Sequence, residues 1–116
     1  MNVENSALLI VGLLFLCLAY YYVKKPPKKI NYLYGYRTRR SMSNQDIWDF
    51  ANAQSAKDFW KVAIVTLIVG IALLLFDIKF KVLIQMGVLL VGLGLSVWNT
   101  EKEIDKQFDK NGNRYS

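Results

Sequence analysis

The sequence predicts an all-α membrane protein with three transmembrane helices and an amphipathic interfacial helix between the first and the second. Three observations lead there. The apolar residues gather in three blocks, 7–23, 59–76 and 80–98, in which only Lys61 and Lys81 carry charge. Each block is close to the roughly 20 residues that cross a hydrocarbon layer of about 30 Å. No block contains proline, and a helix satisfies every backbone N–H and C=O within its own segment where water is absent. Lysine and arginine are lopsided: nine of the fifteen lie between Lys24 and Lys61 and four follow Trp98, the bias that marks a cytoplasmic face. A soluble domain of 116 residues would instead alternate apolar and polar positions around one core.

The first block, 7–23, reads as a retained anchor with its N-terminus outside. A secretory signal starts with a basic region and ends in small residues, whereas Met1–Ser6 is faintly acidic and the exit is Tyr20-Tyr21-Tyr22-Val23-Lys24-Lys25. That exit is an aromatic belt followed by a basic stop. Residues 24–42 form a basic and motif loop. Its prolines, Pro26 and Pro27, cannot continue the helix, and the four lysines around them make a stiff spacer drawn to anionic lipid.

Residues 43–58 carry helix-start chemistry, with Ser43 and Asp46 spaced like a capping box and a start expected near Asn44. At 100° per residue, Ile47, Trp48, Ala51, Asn52, Ser55 and Phe59 share one face. The segment is amphipathic and is expected to lie at the membrane surface, with Trp48 packed against the membrane hairpin. The blocks 59–76 and 80–98 are separated by Asp77-Ile78-Lys79, so they are antiparallel neighbours. Small residues at Thr66/Gly70 and Gly92/Ser96 suit a close approach of their backbones. The cytoplasmic tail is 99–116, of which Asn99–Lys110 is expected to continue the third helix, with a Lys102/Lys106/Lys110 stripe beside Glu101/Asp105/Asp109, and Gly112 is expected to end it.

Composition narrows the chemistry. Histidine is absent and Cys17 is the one cysteine, which removes imidazole catalysis, intrachain disulfides and the common zinc sites. Asp46, Asp49 and Asp58 do not make a ligand set without histidine, and the Asp109–Asn113 stretch has its glycine misplaced for a calcium loop. No catalytic residue, cofactor or metal is therefore expected. The net charge of +6 follows from the topological asymmetry and points to the lipid bilayer and its anionic lipids rather than to nucleic acid.

One segment is left unexplained by composition: Asn31-Tyr32-Leu33-Tyr34-Gly35-Tyr36-Arg37-Thr38-Arg39-Arg40. Gly35 permits a turn that a β-carbon forbids, and Arg37 just after it can present a planar five-donor fork. Two readings stand. Arg37 is an anion clamp with Arg39 and Arg40 adding field, or it pairs with Asp46, Asp49 or helix-end carbonyls and merely holds the loop. Either way Arg37 is expected to be the most sensitive charged residue, with Arg39 and Arg40 more tolerant.

The order of these residues resembles that of the SdpI-type immunity proteins. The family's mark is a glycine and an arginine-threonine after a membrane helix, then a serine or two, then a tryptophan and an asparagine leading into further membrane helices. Here those are Gly35, Arg37, Thr38, Ser41 or Ser43, Trp48 and Asn52. The resemblance implies a bacterial inner-membrane protein, and the best-known member protects a cell from a secreted toxin peptide and signals by sequestering a repressor at the membrane. This chain is shorter than that member and has one motif unit.

The resulting expectation is a non-enzymatic, multi-pass protein of the bacterial plasma membrane, N-terminus outside and C-terminus cytoplasmic. It binds a peptide or protein partner, or a second copy of itself, through Gly35, Arg37, Thr38, Arg39, Arg40, Ser41, Trp48 and Asn52. Two alternatives belong to other classes: an accessory subunit of a larger membrane complex, or an anionic head-group binder.

Overall fold

A computed structural model describes residues 2–115 and contains three helices: α1 (Val3–Lys24), α2 (Gln45–Leu74) and α3 (Lys81–Gln107). The bundle is elongated, 53 × 23 × 20 Å. Helix α2 is central and packs along both others, whereas α1 and α3 meet little. Asn2 caps α1 by accepting the Asn5 N–H at 2.7 Å, Glu4 sits in the first turn and Lys24 in the last, all favourable to the helix dipole. Pro26-Pro27 then forces the chain away.

Helices α1 and α3 are long and apolar enough to cross a membrane, and their apolar windows are only 22% and 17% buried within the fold. A core helix of a soluble protein would be mostly covered. What α3 does bury is largely polar: Lys81, Gln85, Ser96 and Thr100 face inward with Leu89 and Ile104, while Leu83, Leu90, Val91, Leu95 and Trp98 face out. Water penalises such an arrangement by about 25 cal/mol per Å² of exposed apolar surface, and hydrocarbon does not.

Inside the bundle the Gln85 amide donates to the Leu8 carbonyl of α1 at 3.0 Å and the Thr66 carbonyl of α2 at 3.2 Å. The Lys81 ammonium reaches Asn5 at 3.2 Å. The small residues do let the helices approach. A β-carbon on Gly70 would lie 2.5 Å from the Gln85 amide nitrogen, and one on Gly92 would lie 2.9 Å from Val62.

Three expectations are corrected, and the three-span expectation is met in part. The amphipathic segment at 43–58 is not a separate surface helix: it and the second apolar block form the single helix α2. Glycine and proline are absent from Gln45 to Val69, and the buried stripe runs from Trp48, Asn52 and Ser55 on to Ala63, Thr66 and Gly70 without a change of face. Length and composition support two spans, α1 and α3, and not the second block, 59–76, because the last eighteen residues of α2 include Lys57, Asp58 and Lys61. The Ser43/Asp46 capping box does not form. Asn44 is the cap, accepting the Ile47 N–H at 2.8 Å, and the Ser43 hydroxyl donates to the Arg40 carbonyl at 2.6 Å.

The third correction concerns the tail. Helix α3 stops at Gln107 rather than running on to Gly112. Beyond it the chain reverses: the Asp109 N–H donates to the Asn113 carbonyl, the Tyr115 N–H to the Gln107 carbonyl, and Phe108 pairs with Arg114. Gly112, at φ +83°, serves this turn. Its carbonyl accepts the Asn44 side-chain amide at 2.9 Å, and Arg114 pairs with Asp46 at 2.7 Å. The tail is thus pinned to the start of α2, where Tyr36, Ile47, Ala51, Ile104 and Phe108 form a small core with Phe50 against it.

Candidate functional site: the loop and tail over the helix ends

The loop between α1 and α2 wraps across the end of the bundle and is held there by α2. Trp48 is fully buried, and its indole N–H donates to the Pro27 carbonyl at 2.9 Å. That bond satisfies two groups otherwise stranded, since an indole N–H and a buried carbonyl both need partners. The shielding expected of Trp48 is present, with the basic loop as its polar partner. Two residues after Lys29, Asn31 folds the chain by accepting the Leu33 and Tyr34 N–H groups at 2.9 and 2.7 Å, an Asx turn. The Tyr34 hydroxyl then donates to the Lys25 carbonyl at 2.7 Å.

Gly35 follows at φ +109°, a region that L side chains avoid. Space is absent as well: a β-carbon there would lie 2.6 Å from Pro27 and 2.7 Å from the Asn52 Oδ1. The glycine therefore lets the loop backbone settle on α2, and Asn52 receives it. Asn52 is 1% exposed. Its Oδ1 accepts the Tyr36 N–H and the Tyr22 hydroxyl, each at 2.6 Å, and its Nδ2 donates to the Trp48 carbonyl at 3.0 Å and the Tyr36 carbonyl at 3.5 Å. Two donors on one side and two acceptors on the other settle the orientation of the amide.

The Tyr36 ring then spans to α3, where its hydroxyl donates to the Glu101 carboxylate at 2.6 Å. Burial, and after it the hydrogen bond to Glu101, push the Tyr36 hydroxyl well above the ordinary tyrosine range. The same Glu101 oxygen accepts the Thr38 hydroxyl at 3.1 Å. Thr38 and Ser41 bond reciprocally, the Thr38 N–H to the Ser41 Oγ at 2.8 Å and the Ser41 N–H to the Thr38 Oγ1 at 3.1 Å. The fully buried Ser41 hydroxyl donates back to the Tyr36 carbonyl at 3.0 Å.

The arginines divide. Arg40 makes the fork expected of Arg37: it pairs with Asp105 and donates to the Phe108 and Asp109 carbonyls at 3.1 and 3.2 Å. These lie where α3 leaves its last carbonyls without helical partners. Arg37 is exposed and donates to the Tyr32 carbonyl, while Asp46 is taken by Arg114 and Asp49 by Gln45. Arg39 is exposed, and among the described residues it has no hydrogen-bond or ion-pair partner.

Of the residues singled out by sequence, Gly35, Thr38, Ser41, Trp48 and Asn52 are brought together in one lock, Arg40 ties that lock to the tail, and Arg37 and Arg39 point outward. Tyr22, Pro27, Tyr36 and Glu101 were missed. Tyr36 stands between the glycine and the arginine of the motif, and that position was its only signal. Between the lock and the tail lies a polar cavity of about 500 Å³ lined by Thr38, Arg39, Ser43, Asn44, Glu101 and Lys110.

A second polar cluster sits one to two turns along α2. Asp58 is 8% exposed and accepts the Asn99 amide at 2.9 Å, the Thr100 hydroxyl at 3.5 Å and the Gln54 amide at 3.4 Å. Neutral donors therefore stabilise this carboxylate across the α2–α3 interface.

The SdpI/YfhL protein family matches residues 28–100, from the basic loop through most of α3. A curated relative from Bacillus subtilis (strain 168), the uncharacterized protein YfhL, is 42% identical over 79 residues, which cover 68% of this chain and 68% of that one. No solved structure matches the chain.

Proposed function

The chain belongs to the SdpI/YfhL protein family, and on that premise we propose that it is a multi-pass membrane protein holding a peptide or protein partner where the motif loop meets the tail. The observation that carries this is Arg39: exposed, without a partner among the described residues, at the rim of the polar cavity, on a loop held rigid by Asn52 and Ser41. A cation fixed in place and left unpaired suits an acidic or carbonyl-rich partner surface. The lock around it supplies architecture, not chemistry, so the reading is of a binding protein rather than an enzyme. Toxin immunity or signalling is the role that such binding serves in this reading.

The same proposal places the chain in the bacterial plasma membrane with three spans. The segment Val62–Phe76 carries no charge, and Lys57 and Lys61 can extend their heads to the interface from its edge. The loop and tail, with thirteen of the fifteen basic residues, then face the cytoplasm and the start of α1 faces out.

Photocrosslinking tests the partner face: p-benzoylphenylalanine at position 110, on the same cavity with Arg39 intact, irradiated in living cells, is expected to give one discrete protein or peptide adduct that Arg39→Gln weakens. Asn52→Ala should abolish that adduct by releasing the loop. Adducts to lipid alone, or an unchanged adduct in Asn52→Ala with the loop shown to be released, would overturn the reading.

A further inference from the structure

Where α1 ends its apolar block and α2 begins its own, the two helices frame a cavity of about 400 Å³ lined by Tyr20, Val23, Lys24, Lys57, Trp60 and Lys61. Every lining residue comes from α1 or α2, and none is acidic. Lys57 and Lys61 are one turn apart and so share a helix face. Lys24 stands opposite them in the last turn of α1, its ammonium 5.7 Å from the centre of the Tyr20 ring. Tyr20 and Trp60 approach to 6.4 Å between ring centroids, a pair of the type that settles at the membrane–water boundary. Among the described residues, none of the three lysines has a hydrogen bond or ion pair.

Three like charges thus line one cleft that has no carboxylate among its lining residues, and the floor beneath them is aromatic and aliphatic. The complement is a ligand with an anionic head and an apolar body. We propose that this cleft binds an anionic phospholipid, its phosphodiester among Lys24, Lys57 and Lys61 and the start of an acyl chain against Val23, Tyr20 and Trp60. A free phosphate has no use for the apolar wall, so the source is the membrane itself. The site is separate from the loop and tail face, and it differs from the diffuse attraction of Lys25, Lys28 and Lys29, which stand on the loop.

The test is lipid selectivity by electron spin resonance, with the protein reconstituted in phosphatidylcholine vesicles containing spin-labelled phosphatidylglycerol or spin-labelled phosphatidylcholine. The parent protein and a Lys25→Gln/Lys28→Gln/Lys29→Gln variant are expected to restrict the glycerol lipid preferentially. In Lys24→Gln/Lys57→Gln/Lys61→Gln that preference should fall by about fivefold or more, the effect of losing at least one lysine near an anionic surface. Retention of the preference by the cleft variant, or an equal loss in the loop variant, would overturn the site. Quenching of a Trp98→Phe protein, which keeps the cleft and its lysines, by brominated lipid guards against misfolding of the triple variant. Brominated phosphatidylglycerol should quench more than brominated phosphatidylcholine, and Trp60→Phe should remove the excess; an excess that survives Trp60→Phe counts against the site. Because lipid selectivity and the Trp60 quenching concern the α1–α2 cleft, their failure leaves the photocrosslinking result at position 110 standing, and the reverse.

Discussion

The side-chain oxygen of Asn52 accepts the backbone N–H of Tyr36 at 2.6 Å, which fastens the motif loop to α2 seven residues after that helix begins at Gln45. The same amide also serves Tyr22 and the Trp48 carbonyl. Asn52→Ala should therefore lower stability by about 2–4 kcal/mol, since a buried donor or acceptor left unmade costs about 1–3 kcal/mol. Asn52→Asp should be little better, because a carboxylate cannot donate to the two carbonyls. Thermal unfolding in mild detergent, followed by circular dichroism, measures both.

Gly35→Ala combines a left-handed backbone with a contact of 2.6 Å to Pro27. It should destabilise by more than about 1 kcal/mol, and the disturbance should reach Trp48, whose indole bond to Pro27 depends on the same contact. A red shift and easier aqueous quenching of tryptophan emission are expected relative to the parent.

Arg40, and not Arg37, should show the demand for a planar fork. Its three acceptors belong to Asp105, Phe108 and Asp109, which an ammonium cannot reach together. Discounted for partial exposure, Arg40→Lys is expected to cost about 1 kcal/mol and to loosen the tail, whereas Arg37→Lys should be mild in stability. Limited proteolysis after Phe108, together with melting temperatures of the two variants, decides between them.

Tyr36 makes stability depend on alkaline pH. Its folded-state pKa is raised above the ordinary value of 10.0 by burial and by Glu101, so the unfolded chain loses this proton first. The contribution is fully present below about pH 10 and is lost as pH rises beyond that value. Tyr36→Phe should flatten the fall in melting temperature between about pH 9 and pH 11, relative to the parent over the same range. An identical slope in both proteins would show that the hydroxyl does not govern it.

Topology is read by cysteine accessibility in a Cys17→Ser background. A cysteine at position 2 should react with an impermeant maleimide added to intact cells, and one at position 113 only after the membrane is opened. The opposite pattern would reverse the orientation drawn from the basic residues.

Much of the fold was legible because periodicity and charge are local. Three apolar blocks without proline specify helices, Pro26-Pro27 ends the first, and Asn44 lies where the helix-start chemistry was placed. Trp48, Ala51, Asn52 and Ser55 share a buried face as their spacing required. The motif itself was legible as an order of residues, Gly35 to Asn52, although not as a lock.

What sequence could not supply is which surface covers each face. A period of 3.6 residues says that Ile47 and Trp48 turn the same way. It does not say that the tail covers one through Phe108 while Pro27 covers the other. The bonds that decide the site join positions far apart in the chain, Tyr36 to Glu101, Arg40 to Asp105 and Arg114 to Asp46, and each depends on α3 returning beside α2. The sequence by itself determined the helices, their apolar character and the glycine at which the motif loop turns. Only the tertiary structure decided that the amphipathic stretch packs inside the bundle as part of α2, that Arg40 takes the fork and that Arg39 is left outside. Those outcomes follow from competition among polar groups for a limited set of buried partners, and that competition exists only once the helices are side by side.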